Sequence, residues 1–416
     1  MSRRKNRHIA TQLLHNDYQT GIQHGSLHQP VHNSVAYGYS QSRDLADVFQ
    51  GKQSGYAYGR ASNPTVSALE SKITLLEQGL ASCCFASGMA AISATMLTLL
   101  RAGDHLVSSS FLFGNTNSFF NTLTTYGIEV TFVDATDVQN IIDATQANTK
   151  AVFVETIANP RTQVSDLARI GEYCAEQGLL YIVDNTLTTP IAFQPRDVKA
   201  GLIINSLTKY IGGHGNALGG AVTETGIFDW SSYANIYDIY KKGESNSWGI
   251  LQIRKKGLRD MGATLSPEAA HAIAVGSETL SMRVKKSSEN ALTLANFFAE
   301  HPMINQVFYP GLKSHQEHLL ATELFGSYGS LMSIELHEDI NCFNFLDRLE
   351  LVISASNLGD NRTLAIPVAH TIFYEMGAER RASMGISDGL IRLSIGIEDV
   401  DSLIEDFSRS LSVTSL

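Results

Sequence analysis

The chain has 416 residues, of which 44% are hydrophobic and 17% charged, and its formal net charge is −10. This much apolar material can bury a large core, which excludes intrinsic disorder, and the length favours two domains in close contact. The negative charge disfavours nucleic-acid binding, so we expect a small-molecule partner and no nucleic acid.

No segment indicates export or a membrane span. The basic cluster at residues 2–7 is not followed by the apolar stretch of a signal peptide, and no run of 18 apolar residues occurs. The cysteines lack a C-x-x-C pair, which is typical of buried thiols in a reducing compartment; they are Cys83, Cys84, Cys174 and Cys342. We therefore expect a cytoplasmic protein without membrane contact and without a metal site.

Residues 1–60 contain few periodic elements and are predicted to form an N-terminal arm that packs on another surface, such as a second subunit. From about residue 65 to 225 the pattern alternates between helical spacing and short apolar runs, and we predict an α/β domain over residues 61–262. Helices are predicted at 65–78, 88–100 and 166–178, and strands at 104–110, 129–135, 150–156, 179–185 and 201–207. Short apolar strands separated by helices indicate a mostly parallel, open α/β sheet, which binds its ligand beyond the carboxyl ends of the strands.

The segment 228–262 is aromatic and charged and has no strand pattern, and the sequence leaves open whether it covers the site or forms an interface. Residues 266–301 have strong helical periodicity after a Ser-Pro start. Strands are then predicted at 304–310, 330–336, 351–357 and 390–398, and a final helix at 400–411. These elements predict a smaller α+β domain over residues 263–416.

Polar residues follow the predicted strands at their carboxyl ends, namely Glu155 to Asn159, Asp184, Ser206, Thr208 and Lys209. A lysine usually keeps its ammonium in water, but a desolvated amine is nucleophilic enough to form a Schiff base with a carbonyl cofactor. Asp184 either caps the next helix or pairs with a pyridinium nitrogen. Because it precedes Lys209 by 25 residues at the same sheet edge, the cofactor is favoured.

A phosphate site is also indicated. Ser87 and Gly88 precede a small-residue helix, which either is an ordinary cap or, with the hydroxyl groups of Ser206 and Thr208, forms an anion cradle.

Three further residues suit anionic groups of a ligand. Tyr58 and Arg60 offer a ring and a fork-shaped cation to a phosphate, and because they lie in the arm we expect a neighbouring chain to supply them. Arg392, flanked by apolar residues, either forms an internal salt bridge or binds a substrate α-carboxylate.

The segments "YGRASNPT", "SGMAA", "ETIANP", "VDNT", "SLTKYIGGHG", "SNLGD" and "IRLSIGIED" together resemble the transsulfuration family, the pyridoxal-phosphate enzymes of cysteine and methionine metabolism. The family includes cystathionine γ-synthase, O-acylhomoserine sulfhydrylases, cystathionine lyases and methionine γ-lyase, and the resemblance runs from about residue 30 to 412. It implies the aspartate-aminotransferase fold (fold type I), with a mostly parallel sheet domain and a smaller α+β C-terminal domain. It also implies a homotetramer, a dimer of dimers whose active sites are shared between subunits.

The resemblance assigns a role to each matching residue. Lys209 would form the Schiff base, Asp184 would pair with the pyridine nitrogen, and Thr186 and Asn159 would support the ring and its phenolic oxygen. The phosphate would be held by Ser87, Gly88, Met89, Ser206 and Thr208, with Tyr58 and Arg60 from a neighbouring chain. Arg392 and the backbone at Asn357 would bind the substrate carboxylate.

Two positions and one stretch depart from the family pattern. Phe113 stands where most of the family has a tyrosine that stacks on the cofactor, so the aromatic ring is kept and the hydroxyl is lost. Some O-succinylhomoserine sulfhydrylases are similar here, with Phe-Gly at the same place. Asn115 stands where methionine γ-lyases usually have a reactive cysteine. The stretch from Leu364 to Phe373 differs near Pro367 and His370, and His370 is either a substrate contact or a packed histidine.

The resemblance with these departures implies γ-replacement on an O-acyl-L-homoserine by a sulfur nucleophile, as in methionine biosynthesis. An acyl carboxylate, with a pKa of about 4 to 5, leaves without an acid, so the missing hydroxyl favours activated esters. A γ-lyase is the alternative enzyme, and a non-catalytic relative is the alternative of another class.

Overall fold

The computed structural model describes residues 8–413 of the chain. The predicted basic cluster at 2–7 and the last three residues of the predicted C-terminal domain lie outside this range. The arm contains two helices that the sequence did not predict, α1 (Ile9–Thr20) and α2 (Ser42–Phe49). Among the described apolar side chains of α1, Leu13 is the buried one, so the helix lacks the apolar stripe that periodicity detects.

A seven-stranded sheet forms the centre of the larger part of the chain. Its strands are β1 (Ala81–Phe85), β2 (His105–Ser109), β3 (Glu129–Val133), β4 (Thr149–Glu155), β5 (Leu180–Asp184), β6 (Leu202–Asn205) and β7 (Gly220–Glu224). Their order across the sheet is β1-β7-β6-β5-β4-β2-β3. Strands β2 to β6 are parallel and β7 is antiparallel to both of its neighbours, which confirms the mostly parallel sheet.

Helices cover both faces of this sheet, and two clusters of buried apolar side chains fill the layers between them. The helices are α3 (Pro64–Leu76), α4 (Gly88–Leu99), α5 (Gly114–Leu123), α6 (Val138–Ala144), α7 (Leu167–Gln177), α8 (Thr189–Ala192) and α9 (Trp248–Gln252). Predicted strands β2 to β6 are confirmed. The sequence did not predict strands β1 and β7, because serine, glycine and Glu224 interrupt their apolar residues. Glu224 is nevertheless buried, and its carboxylate accepts a hydrogen bond from Trp230 Nε1 at 2.9 Å.

The segment 228–262 contains no strand, as predicted; beside α9 it has short 3-10 turns and a π-helical stretch, Ile253–Asp260. Trp230 and Tyr233 are buried in the same apolar cluster as the side chains of α4, so part of the segment belongs to the core. Within residues 8–413, no helix combines the length and the apolar character needed to cross a membrane.

A five-stranded sheet forms the smaller layer, in the order β10-β11-β12-β9-β8. Its strands are β8 (Ile304–Phe308), β9 (Leu331–Leu336), β10 (Ile353–Ser354), β11 (Leu364–Pro367) and β12 (Leu390–Ser394). The accompanying helices are α10 (Pro267–Ser277), α11 (Leu280–Ala299), α12 (His318–Leu324), α13 (Cys342–Leu346), α14 (Ala378–Ser383) and α15 (Val400–Val413). The α+β character is thus confirmed, whereas the boundaries 60/61 and 262/263 stay a prediction.

Two details of this layer differ from the sequence prediction. The single helix predicted over 266–301 is divided at Glu278 and Thr279, and the carboxylate of Glu278 pairs there with Lys72 of α3 at 2.9 Å. Strand β11 was not predicted, because it is short and ends in Pro367, and a proline within an apolar run argues against a strand.

Candidate active site

A cavity of about 680 Å³ opens at the carboxyl ends of the parallel strands, where the large sheet meets the small one. Its size is in the usual range for small-molecule sites. The structure brings most of the predicted site residues into its lining: Ser87, Gly88, Met89, Phe113, Asn159, Asp184, Thr186, Ser206, Thr208, Lys209, Asn357 and Arg392. The roles that the resemblance gives them stay predictions.

Lys209 lies just beyond the end of β6 and points toward the small sheet. Its Nζ donates a hydrogen bond to Asn357 Oδ1 at 2.9 Å. Burial lowers the pKa of Lys209 to about 8, and the nearby positive charge of Arg392 contributes. A substantial fraction of this amine is therefore neutral, and hence nucleophilic and able to accept a proton, near physiological pH.

Asp184 ends β5, and Glu155 is its register partner at the end of β4. The backbone N–H of Thr186 donates to Asp184 Oδ1 at 2.9 Å, and that of Phe113 donates to Glu155 Oε1 at 2.8 Å. Burial raises the pKa of both carboxyls, and the pKa of Glu155 is raised further by the charge of Asp184. Two buried carboxyls this close favour a cationic ligand group beside them.

The N-terminus of α4 lies at the cavity, and its backbone donors suit an anion, as predicted for the phosphate. Ser87 caps the helix by accepting from the N–H of Ala90 at 3.1 Å, while the N–H groups of the first turn have no partner within the helix. A Cβ on Gly88 would lie 2.9 Å from Cβ of Ser206, so the close approach of these two segments requires glycine. Thr208 also lines the cavity, and its hydroxyl donates to the carbonyl oxygen of Gly219 at 3.2 Å and accepts from the N–H of Gly219 at 3.0 Å.

Thr186 lines the cavity from the large sheet, and Arg392 lines it from the small sheet. Thr186 Oγ1 accepts from the N–H of Ser206 at 2.8 Å, which ties the end of β5 to the end of β6. Arg392, on β12, is 2% exposed and donates through Nη2 to the carbonyls of Ser356 and Asn357 at 2.8 and 2.9 Å. Its Nε is buried without a hydrogen-bond partner in the described structure, and burial lowers its pKa to about 10. The predicted internal salt bridge of Arg392 is therefore not present among the described residues.

Two predicted residues lie outside the cavity of their own chain. Arg60 donates to the carbonyl of Arg259, and its guanidinium lies 5.5 Å from the ring centroid of Tyr58, which is half exposed. This position leaves the prediction that a neighbouring chain supplies them untested. His370 does not line the cavity either; it packs against Phe343, with ring centroids 4.9 Å apart, which agrees with the packed alternative.

Several lining residues had no predicted role. Glu155 was placed at a strand end, but a carboxyl that binds the backbone of Phe113 has no local sequence signal. Ile157, Leu218, Leu358 and Ile372 also line the cavity, and they come from loops and turns whose apolar residues follow no period.

These residues fit pyridoxal phosphate. The amine of Lys209 suits its aldehyde, the buried carboxyl of Asp184 its ring nitrogen, and the helix end its phosphate. Asn159 Oδ1 is buried without a hydrogen-bond partner among the described residues, as expected of a group that awaits a ligand.

Comparison with known proteins agrees with this site. Residues 10–412 match the family described as Cys/Met metabolism PLP-dependent enzyme. An L-methionine γ-lyase of Fusobacterium nucleatum subsp. polymorphum is 35% identical, over 93% of this chain and 94% of the relative. An O-acetyl-L-homoserine sulfhydrylase of Leptospira meyeri is 33% identical, over 92% and 91%.

A solved structure is similar over nearly the whole chain. It is a Campylobacter jejuni protein assigned as an O-acetylhomoserine (thiol)-lyase that carries N′-pyridoxyl-lysine-5′-monophosphate, with 31% identity, 98% coverage of this chain, 100% of that one, and a TM-score of 0.91. The fold and site thus define a pyridoxal-phosphate-dependent enzyme. This chain belongs to the Cys/Met metabolism family of such enzymes, and pyridoxal phosphate is its cofactor.

Proposed function

We propose that this enzyme catalyses γ-replacement on an O-acyl-L-homoserine by a sulfur nucleophile, the reaction type of cystathionine γ-synthases and O-acylhomoserine sulfhydrylases. The observation that carries the proposal is Phe113 in the cavity wall, held by the hydrogen bond from its N–H to Glu155. A phenylalanine supplies a ring face and no proton. Expulsion of a thiolate benefits from an acid at this position, whereas expulsion of an acyl carboxylate does not.

The other residues of the cavity support such a reaction. Pyridoxal phosphate, when bound, supplies an electron-accepting ring beside the substrate α-carbon. The Nζ of Lys209, with its lowered pKa, accepts a proton from substrate and returns one, because its nitrogen is neutral in a substantial fraction of molecules. Arg392 binds the substrate carboxylate through its unpaired Nε, and Asp184 holds the ring nitrogen in its protonated form.

A γ-elimination lyase, of the cystathionine or methionine γ-lyase type, is the second candidate. Its support is the methionine γ-lyase relatives, which are as similar to this chain as the sulfhydrylases are. Against a methionine γ-lyase stands Asn115, an exposed asparagine where those enzymes usually have a reactive cysteine.

Product analysis separates the two candidates. The purified holoenzyme is incubated with O-acetyl- or O-succinylhomoserine plus sulfide or cysteine, and separately with methionine or cystathionine. We expect thiol-dependent formation of homocysteine or cystathionine and little α-ketobutyrate. Release of α-ketobutyrate from methionine or cystathionine without any thiol-dependent turnover would establish the lyase instead. Lys209→Ala is the control, and it should lose both turnover and the visible absorbance of the bound cofactor.

We also propose that the enzyme acts in the cytoplasm as a homotetramer, with Tyr58 and Arg60 completing the site of a neighbouring subunit. The support is that these two residues lie outside the cavity of their own chain although the predicted phosphate cradle lies inside it.

A further inference from the structure

A chain of hydrogen bonds joins five buried polar side chains next to the cavity but outside its lining. Glu77 directly follows α3 and is 0% exposed. Its Oε1 accepts from Asn205 Nδ2 at 2.6 Å and from Asn185 Nδ2 at 3.1 Å. Asn185 Oδ1 accepts in turn from Thr188 Oγ1 at 2.5 Å, and the Thr188 oxygen lies 2.9 Å from Thr156 Oγ1.

Three members of this chain are sequence neighbours of residues that line the cavity. The pairs are Thr156 with Glu155, Asn185 with Asp184, and Asn205 with Ser206. Successive side chains of an extended strand point to opposite faces of the sheet, so the polar chain lies on the face that is turned away from the cavity. Each of its members therefore holds the backbone of a cavity residue from the other side of the sheet.

The two amides that reach Glu77 come from two different strands. Asn185 extends the ladder of β5, since its N–H donates to the carbonyl of Ile204 at 2.9 Å, and Asn205 is the last residue of β6. The carboxyl of Glu77 bridges these two strand ends from outside the sheet. Displacing it would release the positions of Asp184 and Ser206 relative to each other.

Glu77 has no ion-pair partner among residues 8–413, so packing does not explain a carboxyl at this place. Burial raises its pKa to about 7; the amides of Asn185 and Asn205 lower the pKa, and the charge of Asp184 raises it. An apolar side chain would be buried here at a smaller cost. The carboxyl provides an acceptor that two buried amides share, which an apolar side chain lacks.

We infer that Glu77 is a positioning residue of the cofactor site, which holds the ends of β5 and β6 in register and thereby sets how Asp184 meets the cofactor ring and Ser206 its phosphate. The inference rests on the proposed cofactor contacts of Asp184 and Ser206. It does not depend on whether the enzyme catalyses replacement or elimination.

Two substitutions of Glu77 test the inference through cofactor binding. Glu77→Leu removes the acceptor at similar volume, whereas Glu77→Gln keeps one carbonyl oxygen for the two amides. We expect the Kd of pyridoxal phosphate for the cofactor-free protein to rise at least about tenfold in E77L, because two buried amides lose their acceptor, and to stay within about threefold of wild type in E77Q. Absorbance titration measures both, and the visible absorbance maximum of the bound cofactor should shift in E77L and return to the wild-type position in E77Q.

Glu224→Leu is the matched control for a general loss of stability. Glu224 is also a 0% exposed carboxyl of the large sheet, but its register partner is Leu202 at the start of β6, on the edge away from the cavity. We expect E224L to lower the urea midpoint of the cofactor-free protein, as E77L does, and to leave the Kd within about threefold of wild type. An equal rise of the Kd in E224L and E77L would overturn the inference.

Asn205→Ala provides a second and milder test, because it removes one of the two amides and keeps Glu77. It should raise the Kd at least about threefold, and adding Glu77→Leu to it should have a smaller effect than Glu77→Leu has in wild type, since both act on one network. Fully additive effects would contradict the inference, and if E77L does not fold, a wild-type Kd in N205A would refute it. An unchanged cofactor absorbance in Asp184→Asn would instead show that the proposed contact of Asp184 is wrong.

Discussion

The carboxyl group of Asp184 is expected to favour catalysis and to lower the stability of the cofactor-free protein. It is buried at the end of β5, and burial raises its pKa, so that ionising it destabilises the folded protein until a cation lies beside it. The protonated pyridine nitrogen of the cofactor, which we propose as the partner of Asp184, would be such a cation. The residue is thus expected to contribute to catalysis and to reduce the stability of the cofactor-free protein.

Asp184→Asn should separate these effects. We expect kcat to fall by about 10²–10³, as when a group aimed at developing charge is removed, while the cofactor-free variant unfolds at a higher temperature than cofactor-free wild type at pH 8. A carboxyl with a raised folded pKa binds more protons when folded than when unfolded. Wild-type stability is therefore lost as pH rises through the interval between the two pKa values, and the gap between the proteins should close at acid pH.

The control for this prediction is Asp339→Asn, at an exposed aspartate outside the cavity. It should change neither kcat nor the unfolding temperature. A gap in unfolding temperature that stays constant from pH 8 to acid pH would contradict the assignment, because a purely structural effect of the amide does not titrate.

The positions of site residues at strand ends could be predicted from the sequence. In a parallel sheet the carboxyl ends of adjacent strands meet at one edge, so Asp184 and Lys209 could be predicted as neighbours from their strands alone. Leu218 and Ile372 could not, because they lie in connections whose path is set by packing between the two sheets. The sequence placed Glu155 at a strand end but assigned it no role, because its hydrogen-bond partner is the backbone N–H of Phe113, which no sequence pattern indicates.

At the scale of elements, the contact of β7 with the start of α4 holds the predicted anion cradle in place. Gly220 begins β7, and a Cβ there would lie 2.1 Å from the carbonyl oxygen of Ser87 and 2.7 Å from the backbone nitrogen of Gly88. The strand therefore fixes the position of the first helical turn by direct contact. This strand was not predicted, because its residues form no apolar alternation.

Gly220→Ala should displace the cradle and weaken cofactor binding. Overpacking of this kind costs about 1–3 kcal/mol, so we expect the Kd of pyridoxal phosphate to rise at least about tenfold, measured by absorbance titration of the cofactor-free protein. Gly38→Ala is a matched control, because a Cβ there meets nothing within 4 Å. An unchanged Kd in G220A would show that the contact does not position the cradle.

At the scale of the whole molecule, a buried ion-pair cluster ties the arm to the body. Lys72 of α3 is 1% exposed, and its Nζ lies 3.1 Å from Asp17 Oδ2 of α1 and 2.9 Å from Glu278 Oε1 between α10 and α11. His28 Nδ1 lies 3.4 Å from the same Glu278 oxygen. The side chains of Asp17, His28 and Glu278 lie close enough together to hold a metal ion, and the ammonium of Lys72 lies beside two of them.

Lys72→Met should lower the free energy of unfolding by about 3–5 kcal/mol, because it keeps the volume of the side chain and takes the Lys72 ammonium away from the buried carboxylate of Asp17 and the partly buried one of Glu278. Urea unfolding of the cofactor-free protein measures the change. The comparison variant Lys241→Met removes an ion pair with the exposed Asp238 and should leave the midpoint nearly unchanged. Equal midpoints for K72M and wild type would mean that the arm is held by other contacts.

The hydrogen bond from Lys209 to Asn357 has a consequence for how the enzyme matures. It joins a side chain beyond β6 to one that follows β10, and so it works as a tie between the two layers. An ammonium that condenses with an aldehyde keeps at most one of its three hydrogens, so loading of the vitamin-derived group competes with this tie. Under the proposed role of Lys209, loading of the cofactor would weaken or exchange this hydrogen bond, so the spacing of the two layers would depend on whether the cofactor is bound.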